Sequence, residues 1–144
     1  MDVIVRRAVD QDVQAVYRLL CDLEQTTFQE RRFIDLYRTN LQDERIGYFI
    51  AQVHDRVVAF ASVYSHVLLH HCGAVGEVQE LMVAQDFRRQ GVGRRLLRAL
   101  TEWCRAQGAL QLEVTCNNRR VEAQAFYQAN GFVHTHQKLV LEQL

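Results

Sequence analysis

The chain has 144 residues, of which 49% are hydrophobic and 24% are charged, and its formal net charge is zero. This composition predicts one ordinary globular domain spanning residues 1–144, and the neutral charge argues against a dedicated nucleic-acid binder. Because no apolar run reaches about 18 residues and the N-terminus MDVIVRRAVD lacks an apolar signal region, we expect neither a membrane-spanning nor a secreted protein.

The first half of the chain predicts a strand, two helices and a β-hairpin. Asp10 is a good N-cap for a helix whose apolar stripe ends at Leu23, and the turn His54-Asp55-Arg56 separates two alternating apolar runs. A loop holding three of the six histidines follows the hairpin. The predicted strand is residues 3–5, and the two helices are residues 11–23 and 28–41. The hairpin strands are residues 48–53 and 57–63, and the loop is residues 66–73.

The second half predicts strands and helices in alternation. Its first helix carries an apolar stripe that includes Leu96 and Leu100, and Gly108 and Gly131 are stop signals for the two helices. The first predicted strand of this half is residues 75–83, and a helix over residues 91–107 follows it. A second strand is predicted over residues 110–115, a second helix over residues 121–130 and a final extended segment over residues 132–141. This order predicts a mixed α/β sheet flanked by helices in a single domain.

Four cysteines are scattered without a C-x-x-C pair: Cys21, Cys72, Cys104 and Cys116. Their spacing is not that of a zinc site or a disulfide framework. We therefore expect buried free thiols in a reducing cytoplasm.

The stretch ELMVAQDFRRQGVGRRLLRAL, from residue 80 onward, combines a strand, a basic glycine loop and a helix start. Between Arg88 and Arg120 lie eight arginines against two acids, a local excess suited to a polyanionic ligand. The first amides of a helix have no internal acceptors, and Gly91 and Gly93 let phosphates approach the main chain. The only lysine of the chain is Lys138, so guanidinium groups supply the cations here.

Other glycine loops fit this stretch less well. A P-loop requires G-x-x-x-x-G-K-[ST], and the stretch has neither that spacing nor a lysine. A dinucleotide-binding fingerprint would place a third glycine at the position of Leu96. A solvated basic loop without a ligand remains an alternative from this stretch alone.

The pattern R-x-x-G-x-G between a strand and a helix resembles the acetyl-CoA signature of the GNAT N-acetyltransferase superfamily. Downstream, N-x5-A-x2-F-Y-x3-G-F, from Asn117 to Phe132, resembles a later motif of that superfamily. The stretches AVYRLLCDLEQ, NLQDERIGY, LHH, GEVQELMV and TCNNRRVEAQAFY are similar to bacterial aminoalkylphosphonate N-acetyltransferases. The resemblance implies a GNAT-like, mostly antiparallel mixed sheet in one domain.

The resemblance also implies the residues that bind acetyl-CoA. The backbone of Leu81, Met82 and Val83 would pair with the pantetheine arm, and Asn117 would lie near it unless it is a loop or cap asparagine. Arg119 or Arg120 could reach a CoA phosphate. The pyrophosphate would be held by the amides of one loop: Arg88, Arg89, Gln90, Gly91, Val92, Gly93 and Arg94.

Two kinds of side chain are expected to move protons. Tyr127 matches the superfamily tyrosine proposed as proton donor to the departing thiolate, although a core tyrosine is the alternative. Glu80 is the expected base for the amine, directly or through a water, and Glu77 is the second candidate; either could instead pair with an arginine. In a regular strand only one of the two would face the site, unless a bulge changes the count.

The acceptor site is the least defined. An aminoalkylphosphonate has a dianionic head that requires cationic or backbone donors, and His71 and His136 match positions of the resembling family. Further cationic candidates are Arg31, Arg32, Arg45 and Lys138. The same enzymes are associated with divalent metals, a requirement the sequence leaves open because the candidate ligands have no recognised motif spacing. Those candidates are His66, His70, His71, Glu77 and Glu80.

We therefore expect an acetyl-CoA-dependent N-acetyltransferase that transfers acetyl directly to the primary amine of a small molecule. The first choice of acceptor is 2-aminoethyl-, 1-aminoethyl- or aminomethylphosphonate. Alternatives are a polyamine, an aminoglycoside or a protein N-terminus as acceptor, or a non-catalytic CoA-binding regulatory module. A nucleotide-dependent kinase is disfavoured by the missing lysine. Small domains of this superfamily often dimerise, so a homodimer is also considered.

Overall fold

A five-stranded sheet with helices on both faces forms the protein, and the computed structural model describes all 144 residues. Strands β1 to β4 pair antiparallel in chain order, and β5 is added parallel to β4. This confirms the predicted mixed, mostly antiparallel sheet. The strands are β1 (Val3–Arg7), β2 (Ile46–Val53), β3 (Arg56–Leu68), β4 (Gly73–Val83) and β5 (Ala109–Val114); the helices are α1 (Val13–Glu24), α2 (Glu30–Leu41), α3 (Val92–Ala106) and α4 (Val121–Ala129).

The two faces of the sheet carry separate hydrophobic cores. Helices α1 and α2 cover one face, where Val16 of α1 packs in the same buried cluster as Ile50 and Phe60 of the sheet. Helix α3 covers the other face with Leu96 and Leu100, which recur at helical spacing. No helix is both long and apolar enough to cross a membrane.

The start of α1 differs from the prediction that Asp10 is its N-cap. Residues Asp10–Asp12 form a 3₁₀ turn, and the carboxylate of Asp10 pairs with Arg38 at 2.7 Å. Asp12 occupies the N-cap position, but its buried carboxylate accepts from Val9 N (2.8 Å) and from both terminal nitrogens of Arg6 (2.8 and 2.9 Å). The ion pair with Arg6 therefore joins the beginning of α1 to β1.

Replacing Asp12 with Asn is expected to lower the free energy of unfolding by about 1–3 kcal/mol, because buried charged hydrogen bonds are lost. Burial raises the pKa of Asp12, but hydrogen bonds from Arg6 and Val9 outweigh it, so the net pKa lies below its usual range. This stabilisation is present above the ordinary aspartate pKa and lost as pH falls through the lowered value. Urea unfolding at neutral and acidic pH measures it. Asp86→Asn, which breaks an exposed pair with Arg56, is the control with little expected change.

Two further predictions about local structure are wrong. Residues 66–68 do not begin a loop but extend β3, because His66 pairs in register with Val75 and the hairpin continues to Leu68 opposite Gly73. Only Leu69–His71 form a short 3₁₀ turn. The extended segment predicted over 132–141 is not a strand, because no neighbouring strand supplies hydrogen bonds to it.

All four cysteines are free thiols, as predicted, but they are not all buried. Cys104 lies on the buried face of α3, where burial raises its thiol pKa to about 11. Cys21 and Cys116 are half-buried, and Cys72 is exposed in the turn after β3. The prediction of a buried thiol therefore holds for Cys104 alone.

Candidate active site

A cleft opens in the sheet where β5 separates from β4. The parallel pairing ends at Val78, opposite Val114, whereas β4 continues to Val83. The edge of β4 that faces β5 therefore lacks a strand partner over residues 79–83, while its other edge pairs with β3. Unpaired backbone groups of this kind can bind an extended ligand in strand fashion.

The N-terminus of α3 lies at the end of this open edge. The first backbone bond of the helix runs from Arg95 N to Gly91 O (3.1 Å), so the three preceding amides have no backbone acceptor. Gly91 has a φ of 81°, which favours glycine, and a Cβ on Gly93 would lie 3.3 Å from the Phe126 ring. These unpaired amides and the positive end of the helix dipole lie next to β4, and such a helix end can bind an anion.

The arginine side chains of this loop point in different directions. Arg88 Nε donates to Val83 O at 3.0 Å, covering one carbonyl of the open edge. Arg89 has a φ of 61° and its exposed guanidinium lies 4.0 Å from Glu122 of α4. The loop thus spans from β4 to α4 and encloses the N-terminus of α3.

A β-bulge places both candidate carboxylates on the same face of the sheet. Glu80 lies opposite Ser62 and Glu77 lies opposite Tyr64, with the register shift between them at Gln79. Since Ser62 and Tyr64 are two apart in β3, they share a face, and so do their partners. This is the face covered by α1 and α2. In a regular strand only one of Glu77 and Glu80 would face the site. Because of the bulge, both side chains lie on the same face.

Glu80 is the more enclosed of the two carboxylates. The fully buried Ser62 donates its hydroxyl to Glu80 Oε1 and accepts from Glu80 N at 3.1 Å. Burial raises the pKa of Glu80, the nearby charge of Glu24 adds to the increase, and the Ser62 hydrogen bond opposes it. A carboxylate with a raised pKa is a stronger proton acceptor near neutral pH than an ordinary glutamate.

Glu77 is engaged differently. Its Oε1 lies 3.2 Å from His66 Nε2 and accepts from Gln79 Nε2 at 2.8 Å. Neither carboxylate pairs with an arginine, which was the alternative considered from sequence. Glu77 therefore pairs with His66 on the same face of the sheet as Glu80.

Sequence reasoning missed a cluster of polar side chains beside Glu80. Asn40 Nδ2 donates to Tyr48 OH (2.7 Å) and to Tyr64 OH (3.2 Å), and Tyr48 lies opposite Ser62 in the sheet. Burial raises the pKa of both tyrosines, and the charge of Glu80 raises them further. Ser62, Tyr64 and His66 are polar and are spaced two residues apart, which is the period of a strand. This spacing was the sequence signal that could have predicted the cluster.

Tyr127 of α4 is buried. Its ring contacts Phe126 and Phe132 edge-on, with centroid distances of 5.1 and 5.3 Å. Burial and the neighbouring Cys116 raise the pKa of Tyr127, while the positive charge of Arg120 opposes them. The phenol therefore remains protonated near neutral pH.

Asn117 and Arg120, both candidate CoA contacts, take part in the turn before α4. Asn117 Oδ1 accepts from Arg119 N at 2.9 Å, so its side chain has the turn contact considered as an alternative. Arg120 Nη2 donates to Leu23 O (3.2 Å) and to Glu24 Oε1 (3.3 Å). Arg120 thus connects the end of α1 to α4, beside Tyr127.

The structure does not bring the candidate acceptor-binding residues together. His71 lies in the turn between β3 and β4 and contacts His70, with ring centroids 4.4 Å apart. His136 contacts only its neighbours Thr135 and His134. The four further cationic candidates are all exposed: Arg31, Arg32, Arg45 and Lys138.

The candidate metal ligands do not converge either. Among His66, His70, His71, Glu77 and Glu80, the only contact between a histidine and a carboxylate is that of His66 with Glu77. No group of three or more His, Cys, Asp or Glu side chains could hold a metal ion. The side chains present do not fit a resident metal, and no step is assigned to one.

Comparisons with known proteins place this fold among acyl-group-transferring enzymes. Residues 13–132 match the acetyltransferase (GNAT) family. An aminoalkylphosphonate N-acetyltransferase of Salmonella typhimurium is 33% identical over 132 residues, covering 92% of this chain and 86% of that protein. Glucosamine 6-phosphate N-acetyltransferase 1 of Oryza sativa subsp. japonica is 30% identical over 83 residues, covering 58% and 48%. The solved aminoglycoside N-acetyltransferase AAC(6')-Iy in complex with CoA superposes with a TM-score of 0.89 at 19% identity, covering 99% and 95%.

The family match and the Salmonella relative define the class as an acyltransferase. The chain belongs to the acetyltransferase (GNAT) family, and it is an N-acetyltransferase that acts on amine substrates. The resemblance inferred from the glycine loop and the N-x5-A-x2-F-Y segment is thereby confirmed.

Proposed function

We propose that this protein transfers acetyl from acetyl-CoA directly to the primary amine of a small molecule, with Glu80 as base and Tyr127 as acid. The observation that carries the proposal is the position of Glu80, half-buried beside the unpaired end of β4 and hydrogen-bonded to Ser62. The same strand continues from Glu80 into the open edge and then to the N-terminus of α3. A ligand bound along this edge, with one end at the N-terminus of α3, would place its other end at the Glu80 carboxylate.

The donor side is supported by the chemistry of the cleft. A pantetheine arm carries amide groups that can pair with the free edge of β4 over Leu81 to Val83, as a strand would. Its diphosphate would accept from the unpaired amides at the start of α3, where the dipole is positive. Arg88 would then release Val83 O, and its guanidinium would be free to bind a phosphate.

The reaction can be balanced with these side chains. The neutral amine forms a bond to the thioester carbonyl carbon, and the proton it loses passes to Glu80, directly or through a water. The carbon–sulfur bond then breaks, and Tyr127 donates its proton to the departing thiolate, which leaves as CoA thiol. The ordinary pKa of a phenol, about 10, is comparable to that of a thiol. Burial raises the pKa of Tyr127 above that value, so the phenol holds its proton until the thiolate forms.

An acyl-enzyme is not required. Cys116 lies close enough to Tyr127 to influence its pKa, but burial raises the pKa of the Cys116 thiol and no base is hydrogen-bonded to it. A thiol must be ionised to act as a nucleophile. Direct transfer to the amine is therefore favoured over a covalent intermediate.

For the acceptor we favour an aminoalkylphosphonate. The Salmonella relative is named for that acceptor, and the rice relative for glucosamine 6-phosphate; both names describe an amine that also carries a phosphorus oxyanion. The carboxylate of Glu80 suits the amine end. His66, beside Glu77, is the cationic candidate on the same face for the anionic end. A polyamine or aminoglycoside is the second candidate, favoured by the two carboxylates.

A panel of acceptors tests this choice through the rate of CoA release. We expect kcat/KM to be highest for 2-aminoethylphosphonate, with 1-aminoethyl- and aminomethylphosphonate next, and at least about 10²-fold lower for ethylamine, which lacks the anionic group. Glucosamine 6-phosphate and spermidine complete the panel. Turnover of spermidine alone would replace the phosphonate with a polyamine as the acceptor.

Ser62→Ala is expected to move the acidic limb of the pH profile of kcat/KM to higher pH. The Ser62 hydrogen bond lowers the pKa of Glu80, so its removal lets burial raise that pKa further. A base is active only when it is unprotonated, and a higher pKa shifts its loss to a higher pH. Ser65→Ala is the matched control, since Ser65 is buried in the same strand but lies opposite Gly76. An unmoved limb in Ser62→Ala would show that Glu80 does not produce it.

A further inference from the structure

One arginine, Arg120, joins the end of α1 to the start of α4. Its Nη2 donates to Leu23 O at 3.2 Å and to Glu24 Oε1 at 3.3 Å, and no other hydrogen bond or ion pair connects these two helices. The side chains of Arg120 and Glu24 are 38% and 49% exposed, whereas those of the Arg89–Glu122 pair are 91% and 87% exposed. Water therefore screens the Arg120–Glu24 pair less than an ordinary surface ion pair.

The backbone that carries Arg120 is held by its own turn. Arg120 occupies the N-cap position of α4, where its N donates to Asn117 O at 2.9 Å and its O accepts from Gln124 N at 3.1 Å. Gln124 Nε2 donates to Asn117 O at 3.1 Å and to Asn118 O at 3.2 Å. The guanidinium therefore extends toward α1 from a hydrogen-bonded turn.

The end of α1 has no cation of its own. Its last turn contains no basic residue, and the helix stops at Gln25, which has a φ of 50°. The last carbonyl groups of a helix carry the negative end of its dipole and are stabilised by a nearby cation. Arg120 supplies this cation to Leu23 O from a position 97 residues away in the sequence.

Glu24, the ion-pair partner of Arg120, lies near enough to Glu80 to affect its protonation. Burial raises the pKa of Glu80, the hydrogen bond from Ser62 lowers it, and the charge of Glu24 raises it further. Because Arg120 pairs with Glu24, it compensates this charge. The other titratable groups on the face of Glu80 come from three strands: Tyr48 of β2, Tyr64 and His66 of β3, and Glu77 of β4.

Arg120 also acts on the proposed acid through its charge. Burial and the neighbouring Cys116 raise the pKa of Tyr127, and the positive charge of Arg120 opposes them. Burial likewise raises the pKa of the Cys116 thiol, and Arg120 opposes that increase too. One guanidinium therefore influences both ends of the proposed proton transfer.

We propose that Arg120 is a positioning residue, which holds α1 against α4 and compensates the charge of Glu24 beside Glu80. This inference rests on the proposed function, in which Glu80 is the base and Tyr127 is the acid. The family resemblance implies a CoA phosphate as a partner for Arg120. The observed partners of its guanidinium are instead the carbonyl of Leu23 and the carboxylate of Glu24.

The pH profile of kcat/KM, measured with the best acceptor of the panel, tests this role. Arg120→Gln is expected to move the acidic limb to higher pH by about 0.5 unit, because an uncompensated Glu24 charge keeps Glu80 protonated to a higher pH. In a Glu24→Gln background the same substitution should not move the limb, because the charge that Arg120 compensates is absent. Arg120→Lys keeps the charge and should leave the limb near its original position.

Arg38→Gln is the matched control. Arg38 pairs with Asp10 at the other end of α1, so its replacement removes an ion pair without changing the charge near Glu80. The limb should therefore stay in place. If Arg120→Gln does not fold, Glu24→Gln alone keeps the test valid, since loss of the Glu24 charge should move the limb to lower pH.

Three outcomes would overturn the proposal. The first is a lower unfolding temperature in Arg120→Gln with an unmoved limb, which would make Arg120 a structural link only. The second is an unmoved limb with a Kd for acetyl-CoA raised at least tenfold, which would assign Arg120 to a CoA phosphate. The third is an equal shift of the limb in the Glu24→Gln background.

Glu80→Gln distinguishes failure of this inference from failure of the proposed function. Loss of the acidic limb in Glu80→Gln, together with an unmoved limb in Arg120→Gln, would overturn the role of Arg120 and leave Glu80 as the base. A limb that remains in Glu80→Gln would overturn the proposed base itself.

Discussion

Glu80→Gln is expected to lower kcat/KM for the amine by about 10²–10⁴-fold while acetyl-CoA binding is retained. The substitution removes the proton acceptor but keeps the shape of the side chain and its hydrogen bond with Ser62. The acidic limb that we assign to Glu80 should disappear from the pH profile as well. Steady-state rates over a range of pH, together with calorimetric titration of acetyl-CoA, measure both parts of the prediction.

Glu77→Gln is the matched control for this change. Glu77 shares the face of Glu80 but is partly exposed and paired with His66, so we expect less than about a tenfold loss. A full loss of activity in Glu77→Gln together with normal activity in Glu80→Gln would mean that Glu77, and not Glu80, is the base. Normal activity in both variants would mean that the amine loses its proton to another group.

Tyr127→Phe is expected to lower kcat by about 10²-fold and to leave the Kd for acetyl-CoA unchanged. The aromatic ring keeps its edge-on contacts with Phe126 and Phe132, so the change removes the hydroxyl from an otherwise intact environment. Without the phenol proton, the thiolate would leave unprotonated or take its proton from water. Single-turnover rates with saturating acetyl-CoA report this step directly.

Tyr37→Phe provides the comparison for a buried tyrosine outside the cleft. Tyr37 donates its hydroxyl to Val9 O at 2.7 Å, so its replacement is expected to lower stability and leave kcat unchanged. If Tyr127→Phe also changed only the unfolding temperature, Tyr127 would be a core tyrosine. That was the alternative considered from its position beside Phe126.

Hydrophobic periodicity was sufficient to predict most of the fold. The stripe through Leu96 and Leu100 located α3 to within a residue or two, and the alternating runs around residues 54–56 located the β2–β3 hairpin. These patterns succeed because burial on one face of an element is decided locally. The glycine loop was recognisable for a similar reason, since its function depends on backbone geometry within a few residues.

Features that depend on distant partners were not predictable in the same way. Asp10 and Asp12 have similar capping ability, and only the position of Arg6 in β1 decides that Asp12 is buried. His66 belongs to a strand because β4 lies beside it. A sequence pattern shows that residues 132–141 can form a strand, but a strand requires a partner, and the chain supplies none.

Some features of the candidate site could be predicted from the local sequence, and others depend on distant residues. Glu80 and Tyr127 could be named from motifs, whereas the bulge at Gln79 follows from the pairing register of β3 with β4. The hydrogen bond from Ser62 and the contacts of Asn40 with the two tyrosines join elements far apart in sequence. Contacts of this kind decide which side chains surround Glu80, and local sequence patterns do not predict them.

Direct acetyl transfer is tested most directly by following CoA, the amine product and the protein in one incubation. With acetyl-CoA and 2-aminoethylphosphonate, we predict one CoA released for each N-acetylated amine formed, and an unchanged protein mass. Acetyl-CoA alone should release no CoA beyond its slow hydrolysis. Acetyl-CoA binding without CoA release across the whole acceptor panel, as expected of a regulatory CoA-binding module, would contradict the proposed catalysis, and an acetylated protein that forms and decays would contradict direct transfer.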